Sequence, residues 1–138
     1  MCLFYSVFLR TAESTARIES ILAAIINSPL QKNPRGEDFF GKFLGINIWI
    51  DWLDDDLNQT VVQFNDEYIT LSAYDRELKI YYDEHFFIRD HEESWSQAVA
   101  TVLADALCRA LSCEALAVRN YETAFARYMP FEERVIDE

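Results

Sequence analysis

The stretch from Phe43 to Ile88 constrains the fold most, because apolar and polar residues alternate along it with the period of two that is typical of β-strands. Acidic and other turn-forming residues interrupt the alternation at 54–56, 65–67 and 75–77. These breaks divide the stretch into four strands. Short connections of this kind join antiparallel neighbours, so the sequence predicts a meander.

A helix is predicted before this stretch. Thr11 is expected to cap its start, and isoleucine and leucine then recur at helical spacing. The helix should end near Asn27, because Pro29 disfavours helical geometry in the residue before it. Residues 28–42 include Pro29, Pro34 and Gly36 and are predicted to form a loop that returns Phe39 and Phe40 to the core.

A second long helix is predicted to begin around Ser94, with a wide apolar stripe and small residues that let it lie close to a sheet. We expect it to break near Cys113. Two alternatives stay open beyond that point: the helix continues, or Ala115 to Tyr121 forms a further strand and residues 122–128 a short helix.

The order of elements predicts an α+β domain. Residues 2–10 are apolar on both faces of a strand, as expected for an interior strand. Together with the four later strands they give a mostly antiparallel sheet of about five strands, with the two long helices packed on one face. The whole chain, 1–138, is expected to be a single domain with a loosely ordered tail from about residue 130.

The negative charge of the chain is concentrated in its middle. Between Asp51 and Glu93 thirteen acidic residues face three basic ones, a net charge of 3 − 13 = −10 out of a total of −12. An apolar content of 51% excludes a disordered acidic tail. Such a charge repels nucleic acid and anionic lipid and attracts basic proteins, so we expect a basic protein partner, no nucleic acid and no membrane.

Several functional classes find no support in the sequence. No apolar run reaches the roughly 18 residues that span a bilayer, and the first residues do not form a secretory signal, so a cytoplasmic protein is expected. The three cysteines are odd in number, which argues against a disulfide scaffold. Phosphate-binding loops, nucleophile elbows and paired-cysteine motifs do not occur. We therefore expect no cofactor, no metal and no catalytic residue.

The sheet face opposite the helices is the predicted functional surface. Tyrosine and tryptophan concentrate binding energy at interfaces, and carboxylates steer a basic partner toward them. In the alternative interpretation these are ordinary strand residues, covered by the C-terminal segment or by a second copy of the chain. The predicted partner-binding residues are Asn47, Trp49, Asp51, Asp54, Asp55, Asp56, Tyr68, Tyr74, Tyr81 and Asp83.

Two other groups of residues are candidate sites of chemistry. The run 54–56 offers carboxylates to a divalent cation, but the glycine and glutamate of a calcium loop are absent, which favours a solvated turn. His85 and His91 lie among acidic residues, where an acid/base or metal site is chemically possible. Their six-residue spacing matches no zinc motif, and a solvated connection explains them equally well.

These observations lead to one leading hypothesis and two rivals. The first is a non-catalytic module that binds a basic protein; a bacterial immunity protein that neutralises a basic nuclease toxin fits by analogy of charge and size. The second is a homodimeric structural protein that pairs through the open sheet face or an edge strand. The third is a small-ligand-binding domain or enzyme that uses His85 or His91 in a pocket between sheet and helices.

Overall fold

A computed structural model describes residues 4–36, 38–43, 45–82 and 92–130 of the chain. Asp83, His85, His91 and the expected tail after Pro130 lie outside the described residues. The described elements are β1 Tyr5–Arg10, α1 Thr15–Ile26, β2 Gln31–Lys32, β3 Phe39–Phe43, β4 Ile46–Trp52, β5 Val61–Phe64, β6 Glu67–Thr70, β7 Arg76–Tyr82, α2 Glu92–Leu111, β8 Glu114–Arg119 and β9 Thr123–Tyr128.

The strands form one open sheet in the order β2-β3-β4-β7-β1-β8-β9-β5-β6. All pairs are antiparallel except β5 and β9, which run parallel. The fold is therefore α+β, with two helices packed on a mostly antiparallel sheet that has nine strands in the described residues, not five. The first strand is interior, as its two apolar faces predict, because β1 lies between β7 and β8.

Helix α1 begins later than predicted. Ser14 is its N-cap, and the Ser14 hydroxyl oxygen accepts a hydrogen bond from the backbone N–H of Arg17 at 3.1 Å. The prediction of Thr11 as the cap is wrong because the Thr11 hydroxyl accepts the N–H of Glu13 in a turn before the helix. The predicted end is confirmed, since Asn27 adopts the left-handed conformation that commonly terminates helices.

Helix α2 ends at Leu111, which confirms the break near Cys113. Ser112 has a φ of 50°, and the N–H of Cys113 returns to the carbonyl of Cys108 at 3.2 Å, so the chain turns without a glycine. β8 follows this turn, so the chain takes the alternative in which a further strand comes after the helix. The short helix considered for 122–128 is wrong, because Thr123–Tyr128 forms β9. Neither described helix is long and apolar enough to cross a membrane.

The main core lies between the two helices and one face of the sheet, here called the first face. α1 packs against β3 and β4, and α2 packs against β1, β7, β8 and β9. The sheet contributes the odd positions of β1 and the even positions of β4 and β7, where apolar side chains are almost fully buried. These sheet residues are Tyr5, Val7, Leu9, Ile46, Ile48, Ile50, Leu78 and Ile80.

The predicted meander is wrong, because β4 pairs directly with β7, from Ile46 opposite Tyr82 to Trp52 opposite Arg76. Residues 53–75 connect β4 to β7, and this segment is here called the acidic excursion. It contains the β5–β6 hairpin and two short 3-10 helices, Asp55–Leu57 and Leu71–Ala73. Part of the predicted 28–42 loop likewise forms strands, β2 and most of β3.

The acidic excursion packs on the second face of the sheet. Its base is closed by the N–H of Leu53, which donates to the carbonyl of Asp75 at 3.0 Å. A second apolar cluster seals it onto β1, β8 and β9. That cluster consists of Phe8, Leu57, Val62, Leu71, Tyr74, Leu116, Val118 and Ala124. The second face is thus covered over β1 and β8, and partly exposed side chains remain over β3, β4 and β7.

Candidate functional site

The acidic excursion carries six carboxylates and no basic residue, so its net charge is 0 − 6 = −6, half of the total of −12. All six side chains belong to exposed residues of a folded unit. Two clusters of them occupy the turn after β4 and the hairpin turn between β5 and β6. The residues are Asp54, Asp55, Asp56, Asp66, Glu67 and Asp75.

Local structure explains why three consecutive aspartates point to solvent. Asp54 caps the first 3-10 helix, and its carboxylate accepts the N–H of Asp56 at 2.9 Å. Leu57 at the end of this short helix is 8% exposed and anchors it in the second cluster. One apolar anchor therefore fixes the three carboxylates on the outside of the sheet.

Three of the predicted residues lie on the uncovered part of the second face, together with Phe40, which was not predicted there. These four residues, Phe40, Asn47, Trp49 and Tyr81, are called the aromatic patch. Phe40 stands opposite Trp49 in the pairing of β3 and β4, and the two rings stack with centroids 5.7 Å apart. Asn47 stands opposite Tyr81. Phe40 and Tyr81 remain 39% and 41% exposed, so the patch offers rings to a partner.

Phe40 was missed as a surface residue. It was expected to return to the core with Phe39, but only Phe39 is buried, at 8% exposure. The two are neighbours in β3, where successive side chains point to opposite faces. A strand over 39–43 would have placed Phe39 and Phe40 on opposite faces. The prolines and the glycine just before these residues indicated a loop instead.

The aromatic patch is not itself acidic. Exposed Lys42 lies opposite Asn47, and exposed Lys79 lies opposite Trp49. Asp51 stands at the margin, where its carboxylate accepts the N–H of Trp52 at 2.7 Å. The structure therefore divides the expected acidic and aromatic surface into two regions, which are joined by the chain from Asp51 into the acidic excursion.

A shallow groove borders the aromatic patch at the edge of the sheet. Its volume is about 260 Å³, and Phe40, Lys42 and Asn47 contribute to its wall together with Gln31 and Gly41. The groove gives the patch a concave margin with hydrogen-bonding groups as well as a ring.

Tyr74 does not belong to the surface, and the prediction that it faces outward is wrong. It is 2% exposed and its hydroxyl donates a hydrogen bond to the Glu114 carboxylate. The sequence predicts that inward and outward side chains alternate up to residue 74. β6 ends at Thr70, however, and the 3-10 helix after it changes the direction in which the later side chains point. Burial and the bond to Glu114 raise the pKa of the Tyr74 hydroxyl. Tyr68, by contrast, is 71% exposed as predicted.

Glu114 connects the acidic excursion to the sheet. It is 5% exposed and also accepts a hydrogen bond from the Arg127 guanidinium at 3.1 Å, while the Arg10 guanidinium approaches to 3.8 Å. Arg127 reaches Glu67 at 3.6 Å on its other side. The paired charges compensate the cost of burying the Glu114 carboxylate, and Arg127 links this carboxylate to the hairpin.

Glu77 is a second buried carboxyl that the sequence did not reveal, since it was assigned to a turn. Its Oε2 accepts hydrogen bonds from the hydroxyls of Ser6 at 2.7 Å and Tyr121 at 2.6 Å, whereas its Oε1 is buried without a hydrogen-bond partner. Burial raises the pKa of this carboxyl, the two hydroxyl donors oppose the rise, and nearby Asp54 adds to it.

In the described part of the chain, no group of three or more histidine, cysteine, aspartate or glutamate side chains is placed to hold a metal ion. Cys108 and Cys113 are buried free thiols, and burial raises the pKa of Cys113 to about 12. An enzyme or ligand site at His85 or His91 stays a prediction, since both lie outside the described residues.

Comparison with known proteins gives no match: no family model, no curated protein and no solved structure matches this chain. Charge, exposure and strand topology are therefore the grounds for a proposal of function.

Proposed function

We propose that this protein is a non-catalytic binding module that holds a basic protein on the acidic excursion. The observation that carries the proposal is that residues 53–75 bear six exposed carboxylates without one basic residue, on a unit packed firmly onto the sheet. Carboxylates fixed on a folded surface attract a basic partner over several ångströms and raise its association rate.

An immunity-type inhibitor of a basic toxin is the specific form of this proposal. A toxin that cleaves nucleic acid binds phosphates with lysine and arginine, and the carboxylates of the excursion can occupy the same groove. The support for this form is the size and charge of the chain, an analogy rather than a motif.

The aromatic patch supplies the short-range part of the proposed interface. Trp49 and Tyr81 belong to the residue types in which binding energy concentrates, and exposed Phe40 extends the ring surface. Exposed Lys79 beside the rings can pair with an acidic group of the partner and so fix its orientation. Trp49→Ala should raise the dissociation rate of the partner, whereas loss of the excursion charge should lower the association rate.

A homodimer through the aromatic patch is the second candidate, favoured by the exposed rings of Phe40 and Tyr81. The acidic excursion is unsuited to such a contact, since two copies would bring six negative charges against six. Sedimentation at micromolar concentration distinguishes the candidates. A monomer supports the binding module; a dimer that Trp49→Ala dissociates supports the homodimer.

Affinity capture from the native source tests the proposal, with three baits compared at low salt. The first is the wild type. The second is the triple variant D54N/D55N/D56N, in which asparagine keeps the capping oxygen of residue 54 but removes three charges. The third, E13Q/E19Q/D105N, removes three charges at or near the helices on the first face.

We expect the wild type and the helix-side control to retain the same basic protein and to release it at high salt, and the excursion variant to lose it. If the excursion variant retains that protein as well as the control does, the acidic excursion is not the binding surface.

A further inference from the structure

We infer that strand β6 is a strand-addition site, which takes an extended basic segment of the partner as a further strand of the sheet. The inference rests on the proposed function and adds the form of the partner segment. Among the described strands, β6 is the last one on its side of the sheet, with β5 as its neighbour. An edge strand has backbone groups that an added strand can bind.

The register shows which backbone groups of β6 face the open edge. Ile69 pairs with Val62 and Glu67 with Phe64, and the N–H of Leu71 donates to the carbonyl of Thr60 at 2.9 Å. Hydrogen-bonded pairs alternate along an antiparallel ladder. Positions 71, 69 and 67 therefore bond toward β5, and the N–H and C=O groups of Tyr68 and Thr70 point away from it.

The hydrogen bonds of β5 agree with this assignment of the β6 backbone groups. Gln63 stands opposite Tyr68, and its N–H donates to the carbonyl of Glu122 at 3.0 Å, on the side of β5 that faces β9. Gln63 thus bonds away from β6, as it should if the pair with Tyr68 is a non-hydrogen-bonded one.

Charge selects the chemistry of the added strand. Asp66 and Glu67 are exposed at the start of β6, and residues 53–75 contain no basic side chain. Tyr68 is 71% and Val61 46% exposed, so apolar surface is available to alternate residues of the ligand. A segment that alternates lysine or arginine with β-branched residues matches both features, whereas a second copy of this acidic edge is repelled.

The opposite edge of the sheet offers a poorer site among the described strands. There β2 comprises Gln31 and Lys32 alone, and its single charge is positive. Among the described edge strands, β6 combines an open edge with two exposed acidic residues, Asp66 and Glu67, of which Glu67 is also approached by the Arg127 guanidinium at 3.6 Å.

Thr70→Pro removes the edge while leaving the hairpin intact. Thr70 has a φ of −82°, which a proline ring accommodates, and its N–H is not needed by β5. Proline is tolerated at such edge positions but blocks the approach of a further strand. Thr70→Ala is the matched control, because it removes the side chain and keeps the N–H.

The probe is a synthetic peptide that alternates lysine and valine over seven residues, and the readout is NMR with amide hydrogen exchange. We expect it to bind the wild type and T70A, to slow exchange of the Tyr68 and Thr70 amides, and to bind T70P at least tenfold more weakly, a loss of about 1.4 kcal/mol. A peptide with glutamate in place of lysine should not bind.

The same lysine peptide N-methylated at every amide keeps its charge but cannot donate to the edge, so it tests the wild type without any mutation. Equal binding of the methylated peptide, equal binding to T70P, or protection of both amides in the free protein would each overturn the inference.

If D54N/D55N/D56N loses the captured partner and T70P keeps it, strand addition is wrong and the binding module stands. If neither variant loses it, both are wrong.

Discussion

At the scale of single residues, Glu77 illustrates how a carboxyl can be buried under the acidic excursion. Two hydroxyls satisfy one oxygen, while the other is buried without a partner, and burial raises the pKa. Because the folded state then binds the proton more tightly than the unfolded chain, this residue stabilises the protein below its ordinary pKa of 4.5 and the contribution is lost as pH rises above that value.

Glu77→Gln removes this titration and keeps a similar shape. We expect the unfolding free energy of the wild type, measured relative to the variant by urea denaturation, to fall as pH rises above 4.5. Each unit by which folding raises the pKa makes that fall about 1.4 kcal/mol larger. A difference that does not change between acidic and neutral pH would show that Glu77 titrates normally.

Tyr74 was predicted on the surface but forms part of the core. Tyr74→Phe removes a hydrogen bond to the buried Glu114 carboxylate, which should lower the unfolding free energy by about 1.5–3 kcal/mol. Tyr68→Phe deletes the same hydroxyl from a side chain that is 71% exposed, and should change stability by less than about 0.5 kcal/mol. Urea midpoints of the two variants give the comparison; equal midpoints would contradict the assignment.

At the scale of elements, the periodicity of the sequence predicted the features that depend only on residues close together in the chain. The interior strand β1, the end of α1 at Asn27 and the end of α2 near Cys113 were all predicted, since apolar spacing and turn propensity are local. The strand order was not. Joining β4 to β7 leaves 53–75 as an excursion that reaches the far edge of the sheet. This depends on distant contacts of Leu57, Val62 and Leu71 that no local pattern encodes.

The candidate site was predictable to a similar extent. Composition indicated that Asp54 to Asp56 are exposed, because consecutive carboxylates are rarely buried, but it did not indicate that Glu77 in the same stretch is buried. Which rings accompany them depended on the strand order. Tyr74 was lost from the set because β6 ends at Thr70, and Phe40 was gained because β3 pairs with β4.

The excursion should behave as part of the core rather than as a loop. Leu71 is fully buried in the second cluster, so Leu71→Ala should cost about 2–5 kcal/mol of unfolding free energy. Val102→Ala on α2, where the side chain is 60% exposed, should alter stability by no more than about 0.5 kcal/mol. Thermal and urea unfolding measure both; a small loss for Leu71→Ala would mean that the excursion is loosely attached.

At the scale of the whole molecule, a net charge of −12 is divided unequally. Residues 53–75 carry half of it, and Lys42 and Lys79 lie beside the aromatic patch. A field of this form orients an approaching basic protein before contact, and salt screens it over about 10 Å. We expect this field to belong to a binding surface.

Association kinetics test that claim most directly, with the captured basic protein immobilised and the ionic strength varied. For D54N/D55N/D56N we predict an association rate constant about tenfold below that of the wild type at low salt, converging with it at high salt. E13Q/E19Q/D105N should stay near the wild-type rate at every salt concentration. Equal association rates for the two triple variants would contradict the account.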